Sequence, residues 1–351
     1  VDFHLDDIQR DILGLTEAVL QKAHGEGIAP AEAGDFDDAL WASLAKSGLL
    51  SLAMPTDLGG DGLGIAEVGV VLSAVGKSGA RVPALPTLAM GVLPLCAFGT
   101  REQKAEILPD VAAGNAVLTA ELPGAFSVHA TRGGQWFLNG RTAAVLYAQQ
   151  ARRVLVPAQV GERSGVFLVD PHATGVSLHR VPSSSGAPEY IMRFVNVTAE
   201  VLGADASTDA VEWLRVAGTL GAVAVGCGAL TGALELTTHH IGTRTQFGKP
   251  LATFQAVAQQ IADVYIAART ADLALKAATW RLASGLDADD DLTIAAYWLI
   301  AEGLPALRTC HHLHGGVGVD MSYPLHRHYS VLKDVARLLG GAEQQRERLG
   351  V

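Results

Sequence analysis

Cysteine is scarce in this 351-residue chain: Cys96, Cys227 and Cys310 stand far apart and form no CxxC pair. An odd, scattered set excludes a disulfide framework and points to reduced thiols in a cytoplasmic compartment. Charge is scarce as well, at 18% of residues, and its balance is acidic, with 26 Lys+Arg against 36 Asp+Glu and a net charge of −10. No basic cluster breaks that field, which excludes a sequence-blind nucleic-acid binder. Neither a GxSxG nucleophile elbow nor a GxxxxGK[ST] phosphate loop occurs. The opening Val1-Asp2-Phe3-His4 has no basic stretch leading into an apolar run, so no secretory signal is expected.

Apolar material is plentiful, at 49% of residues, enough for a large core and some covered surface, a first hint of an oligomer interface. The length suits about two domains or one three-part unit. The longest apolar stretch, Val216 to Leu236, is Gly-rich, contains Thr219, Thr231 and Glu235, and runs on into His239, His240 and Arg244. A buried helix at an oligomer centre explains it better than a membrane span.

Along the chain the hydrophobic period changes twice. Residues 1–115 read as helices, with Ile8, Ile12, Leu15 and Val19 at three- and four-residue intervals. Further helices are expected over Leu40–Leu50, Glu67–Gly76, Thr87–Phe98 (interrupted at Pro94) and Glu102–Ala113, with Thr100 near the last one's N-cap. Residues 116–205 hold short runs bounded by Gly, Pro, Asn and Ser, which suggest a small antiparallel barrel or sandwich with a hairpin turn at Asn139-Gly140. Residues 206–351 return to helices: Asp209–Arg244, Thr253–Ser284, Asp289–Gly315 with a possible kink at Pro305, and a last one from Pro324 through Leu338. The fold class expected is α+β: an N-terminal α-helical domain, a small antiparallel β domain and a C-terminal four-helix bundle.

Chemistry-bearing residues gather at helix ends in the last region. Arg244-Thr245-Gln246-Phe247-Gly248-Lys249-Pro250 offers an Arg that can fork onto a pyrophosphate and a Phe that can pack under a flat ring. The same residues also satisfy a plain helix stop with Gly then Pro. His311-His312-Leu313-His314-Gly315-Gly316 ends another helix in bare backbone suited to a phosphate, or in a simple interhelix turn. The histidines lack the spacing of a metal site, and none is expected.

Taken in order, these segments resemble the flavin-dependent acyl-CoA dehydrogenases over nearly the whole chain. Gly48-Leu49-Leu50, Pro55, Gly59-Gly60 and Gly62-Leu63 are similar to that family's N-terminal signature, and Thr100, Gln103, Lys104, Leu108 and Pro109 to its next helix. Arg244, Phe247 and Gly248 with Gln255 resemble the family's RxxFG…Q element, His312 to Gly316 its QxxGG element, and Tyr323-Pro324 the start of its final helix. The resemblance implies FAD across a subunit interface, with Arg244, Phe247, Gln255, His312 (where Gln is usual), Gly315 and Gly316 holding its adenine-pyrophosphate end.

Departures from the family pattern fall where the chemistry should be. Its TEPGAGSD-like flavin cradle matches Glu121-Leu122-Pro123-Gly124-Ala125-Phe126-Ser127-Val128, and its WITNG-like element matches Ala144-Val145-Leu146-Tyr147-Ala148. The carboxylate that removes the α-proton aligns with Leu339, and the alternative position some members use, early in the long helix, is Gly218. Glu212 and Glu343 are the nearest substitutes, and no residue of this chain is assigned as catalytic.

The resemblance therefore implies a degenerate subunit of an α2β2 acyl-CoA dehydrogenase. It would lend half of an FAD site to a paralogous partner, act on an acyl-CoA such as a steroid side-chain thioester, and pass electrons to an electron-transfer flavoprotein. A homotetramer using Glu212 or Glu343, or a flavin-free structural subunit, are the alternatives.

Overall fold

The computed structural model describes residues 3–25 and 36–350. Residues 1–2, 26–35 and 351, inside the expected first and last regions, lie outside the described residues. Element order is helical, then β, then helical. Helices α1 (Asp7–Gly25), α2 (Asp38–Lys46), α3 (Ile65–Ser78), α4 (Leu93–Phe98) and α5 (Arg101–Ala112) come first. Asp37 caps α2 by accepting the Leu40 N–H, and Thr100 with Gln103 forms a reciprocal capping box on α5. Pro94 lacks the N–H an unbroken helix needs, and the chain approaches it through a π-helical segment, Leu85–Val92, that runs into α4.

Seven strands follow: β1 (Val117–Ala120), β2 (Val128–Gly133), β3 (Gln135–Leu146), β4 (Ala151–Val160), β5 (Arg163–Val169), β6 (Val176–Val181) and β7 (Glu189–Val201). Strands β4, β2, β3, β7 and β5 pair in a ring that β5 closes on β4, while β1 and β6 add to β4 and β7. This is the expected barrel, antiparallel except where β1 and β2 pair with β4 in parallel, and it is filled by inward residues such as Trp136 and Phe167, whose rings meet edge to face at 5.4 Å. Asn139-Gly140 is not a turn. It lies inside β3 at a register shift, and Asn139 Oδ1 accepts the Asn196 N–H at 2.8 Å. A Cβ on Gly140 would stand 2.1 Å from Ser127 O, so glycine is there for close strand approach.

The last region holds α6 (Thr208–Thr243), a two-residue hairpin β8 (Thr245–Gln246) and β9 (Lys249–Pro250), then α7 (Gln255–Ala283), α8 (Asp289–His314), α9 (Leu325–Leu338) and α10 (Gly341–Leu349). Helix α10 was not expected from the sequence. Helix α6 is long and apolar enough to cross a membrane, yet 89% of its most apolar window is buried within the protein, as a core helix would be.

By contacts the chain divides into two compact units, Val1–Arg10 with Gly69–Ala80 and Ala222–Val351, and Asp11–Val68 with Arg81–Gly221. In the first, α3 crosses α6 backbone to backbone. A Cβ on Gly228 would lie 2.0 Å from Ser73 O, one on Gly232 2.3 Å from Lys77 O, and one on Gly76 2.1 Å from Val225 O. The second unit holds the barrel with its core.

Candidate functional site

Arg244 follows the last turn of α6, its N–H donating to His240 O at 2.8 Å. The guanidinium is exposed, and no hydrogen bond or ion pair ties it to the described residues. Phe247 and Gly248 form the tip of the β8–β9 hairpin with φ 52° and 81°, a turn that needs the left-handed region twice. Gly248 adopts it freely, whereas a bulky Phe does so under strain, and its ring is 91% exposed. Phe247 meets Phe254 edge to face at 6.2 Å, and Lys249 Nζ lies 4.4 Å from the Phe254 ring centre. Phe254 is the N-cap of α7, so the exposed Gln255 starts that helix beside the hairpin.

The second element meets the first through a pair that sequence reasoning missed. His240, one turn before Arg244, stacks on His314 with ring centres 4.4 Å apart and planes 20° from parallel. His314 is buried; its Nδ1–H donates to Cys310 O at 2.8 Å and its Nε2 accepts from the Tyr323 hydroxyl at 3.2 Å. Burial first, then the charges of Arg244 and His239, holds His240 below the ordinary 6.5. Burial likewise lowers His314, so both rings are neutral near pH 7. The stack brings the C-terminal ends of α6 and α8 together. Exposed His312, Gly315 and Gly316 therefore share that end with Arg244 and the hairpin.

Gly315 has φ 60° and ψ −135°, a glycine conformation. Gly316 has no such need, and a Cβ on either would meet nothing within 4 Å. One end of the bundle thus presents an unpaired guanidinium, an open aromatic face and bare backbone, none of them filled by this chain's own side chains. That donor set suits the pyrophosphate and adenine of a dinucleotide.

Neither of the two positions that the family resemblance gives the base carries an acid. Leu339 is buried at the C-terminal end of α9, and its carbonyl accepts from Gln345 Nε2. Gly218 carries no side chain, and a Cβ there would lie 2.5 Å from Leu122 Cδ1 and 3.4 Å from Met90 Cγ, so the leucine would have to shift to admit one. Leu122 belongs to the cradle-like segment, so the same stretch that departs from the family pattern also fills the alternative base position. Glu212 is tied to Arg215 through two 3.0 Å contacts to Nε with its side chain 55% exposed, and Glu343 pairs with Arg346 at 3.5 Å, 81% exposed. Neither stands in the dry pocket a carbon acid requires. The second cradle-like element is closed as well. Tyr147, at φ 54°, is buried, donates its N–H to Pro188 O at 2.7 Å and packs edge to face on Phe36 at 5.8 Å.

Glu121 opens the cradle-like segment and went unnoticed in the sequence. Its Oε1 accepts the Ala143 N–H at 2.6 Å, and burial raises it from 4.5 to about 7. A carboxyl whose folded value is raised stabilises the fold at low pH and loses that contribution as pH rises from about 4.5 through about 7. Glu121→Gln keeps an acceptor without the charge. It is expected to be more stable than the unmodified chain at pH 8 by on the order of 2 kcal/mol, with no difference at pH 4.5, in denaturant unfolding at both pH values.

Comparison with known proteins places this geometry. Residues 7–115 match the model of the acyl-CoA dehydrogenase N-terminal domain, and residues 196–350 that of its C-terminal domain. Acyl-CoA dehydrogenase FadE28 of Mycobacterium tuberculosis is 45% identical over 320 residues, 89% of this chain and 92% of that protein. FadE27 of the same organism is 32% identical over 100% of this chain and 98% of its own length. Among solved structures, the ChsE4-ChsE5 complex from Mycobacterium tuberculosis superposes with a TM-score of 0.92 at 32% identity, covering 100% of this chain and 98% of the other. A variant of the Tcur3481-Tcur3483 steroid ACAD gives 0.89 at 33% identity, covering 98% and 97%. The α-β-α order, the barrel and the paired motifs at the ends of α6 and α8 have one explanation: the chain belongs to the acyl-CoA dehydrogenase family, FAD-dependent oxidoreductases, and stands close to steroid dehydrogenase subunits found in heteromeric complexes.

Proposed function

We propose that this chain is the non-catalytic subunit of an α2β2 acyl-CoA dehydrogenase, working as 1–115, 116–205 and 206–351. The carrying observation is that neither position for a base holds an acid, with Leu122 packed at Gly218 and, separately, Leu339 buried, while the dinucleotide end stays open. Arg244 would fork onto the pyrophosphate, Phe247 would lie against a ring of the cofactor, and Gly315 and Gly316 would let backbone approach the phosphates. Gln255 and His312 would donate hydrogen bonds from the flanking helix ends. When bound, FAD supplies the acceptor for the hydride that leaves the β-carbon.

A paralogous partner would provide the flavin cradle, most of the acyl-CoA pocket and the carboxylate that takes the α-proton. The product would be a trans-2-enoyl-CoA, and the electrons would pass to an electron-transfer flavoprotein. Likeness to the Tcur3481-Tcur3483 steroid ACAD supports a steroid side-chain thioester as substrate, and the free thiols support a cytoplasmic setting.

The test is flavin absorbance and oligomeric state, for the chain alone and co-expressed with its paralogous partner. A colourless lone chain that becomes a yellow tetramer with about one FAD per pair supports the reading. A yellow lone tetramer reduced by acyl-CoA overturns it in favour of the homotetramer, and a colourless complex leaves only a structural subunit. Leu339→Glu in the lone chain is expected to give no turnover, because the cradle residues are lost as well; dehydrogenase activity from that variant would defeat the proposal.

A further inference from the structure

We propose that the outer face of the β domain binds a phosphoryl group, held by a row of Ser127, Arg141, Arg193 and Ser177 across four adjacent strands. Strand register defines the row. Arg141 on β3 is directly opposite Arg193 on β7, and Arg193 is directly opposite Ser177 on β6. On the other side the Arg141 N–H donates at 3.2 Å to the carbonyl of Ser127, the residue that leads into β2. The residues that alternate with them, Val128, Thr142, Met192 and Phe194, are buried, so the four point outward, and all are exposed.

Two like charges directly opposite on neighbouring strands repel. Nothing among the described residues relieves this pair, for neither guanidinium makes an ion pair or hydrogen bond with them. Four of the other five arginines of this domain are paired, while Arg180 on β6, opposite Tyr190, also makes no ion pair or hydrogen bond with the described residues. Arg132 and Arg163 reach Asp205 at 4.0 and 3.8 Å, and Arg152 and Arg153 pair with Glu106. In a chain of net charge −10, two opposed and unneutralised arginines are not explained by a shortage of acids.

The surroundings add donors rather than acceptors. His129 and His179 lie two residues along from Ser127 and Ser177 on the same face. Glu121 Oε1 is engaged by the N–H of Ala143, two residues along from Arg141. Strands roughly 4.8 Å apart set two guanidinium forks at a spacing that one tetrahedral oxyanion can bridge, with a hydroxyl on either side. A carboxylate would use one fork, whereas a phosphoryl group has oxygens for both. Free phosphate and a phosphate monoester on a nucleotide share this chemistry.

The test uses the purified full chain, or the complex that carries it, titrated calorimetrically at low salt with inorganic phosphate and with adenosine 3′-monophosphate. Saturable binding is expected, with Kd raised at least about tenfold by Arg141→Ser or Arg193→Ser and unchanged by the control Arg163→Ser. Thermal denaturation gives a second readout: the ligand should raise Tm in the unmodified chain and not in the double variant. Equal affinity for both probes identifies free phosphate as the ligand, and preference for the nucleotide identifies a monoester. Absence of saturable binding, or binding that survives the double substitution, overturns the proposal. Survival would place the anion at Arg244 instead.

Discussion

Replacing Arg244 by alanine is expected to weaken FAD retention by the assembled complex by roughly ten- to hundredfold, the cost of losing a charge-assisted contact to a phosphate. The apo chain should hardly notice. Its guanidinium is exposed and bonds to none of the described residues, so its removal leaves no buried partner unpaired. Arg244→Lys should recover only part of the affinity, since an ammonium keeps the charge without the planar fork. Flavin absorbance after gel filtration and a titration of the stripped complex with FAD measure the loss, while Tm of the apo chain reports the fold. Full flavin content in the alanine variant would remove Arg244 from the cofactor site.

The largest effect on stability is expected from Gly228→Leu, and even Gly228→Ala should cost at least about 3 kcal/mol, or roughly 5 °C or more in Tm. At this crossing the obstacle to a Cβ is backbone, with Ser73 O at 2.0 Å and Lys77 N at 2.8 Å. A neighbouring side chain can rotate away, whereas a helix backbone can yield only by moving the helix. Gly232 and Gly76 carry the same restriction. Gly316→Ala is the informative contrast, because nothing lies within 4 Å of its Cβ position. It should leave Tm unchanged and lower flavin content, separating a glycine kept for packing from one kept for a ligand. A Gly228→Ala chain with unchanged thermal and denaturant unfolding would contradict the close crossing.

Much of this was legible before the structure. Helix α6 announced itself by length, absence of proline and apolar residues on every side, and α5 by Thr100 ahead of Gln103. Strands β2 and β6 were not read, because Val128-His129-Ala130-Thr131 and Val176-Ser177-Leu178-His179 alternate without a bulky apolar run. Asn139-Gly140 misled, since a glycine required for strand approach has the same sequence signature as a hairpin tip. The site divides in the same way. Arg244, Phe247 and Gly315 sit in local motifs that can be read from neighbours in sequence. The meeting of Leu122 with Gly218, and of His240 with His314, joins residues far apart in the chain, and no local pattern encodes either.

The plug at Gly218 also bears on how substitutions in this chain combine. An acid placed at position 218 would require the Leu122 side chain to swing aside, and a smaller residue at 122 would leave the space at Gly218 unfilled. The two positions are thus coupled by packing although 96 residues separate them in the chain, and a substitution at one is best read together with the other.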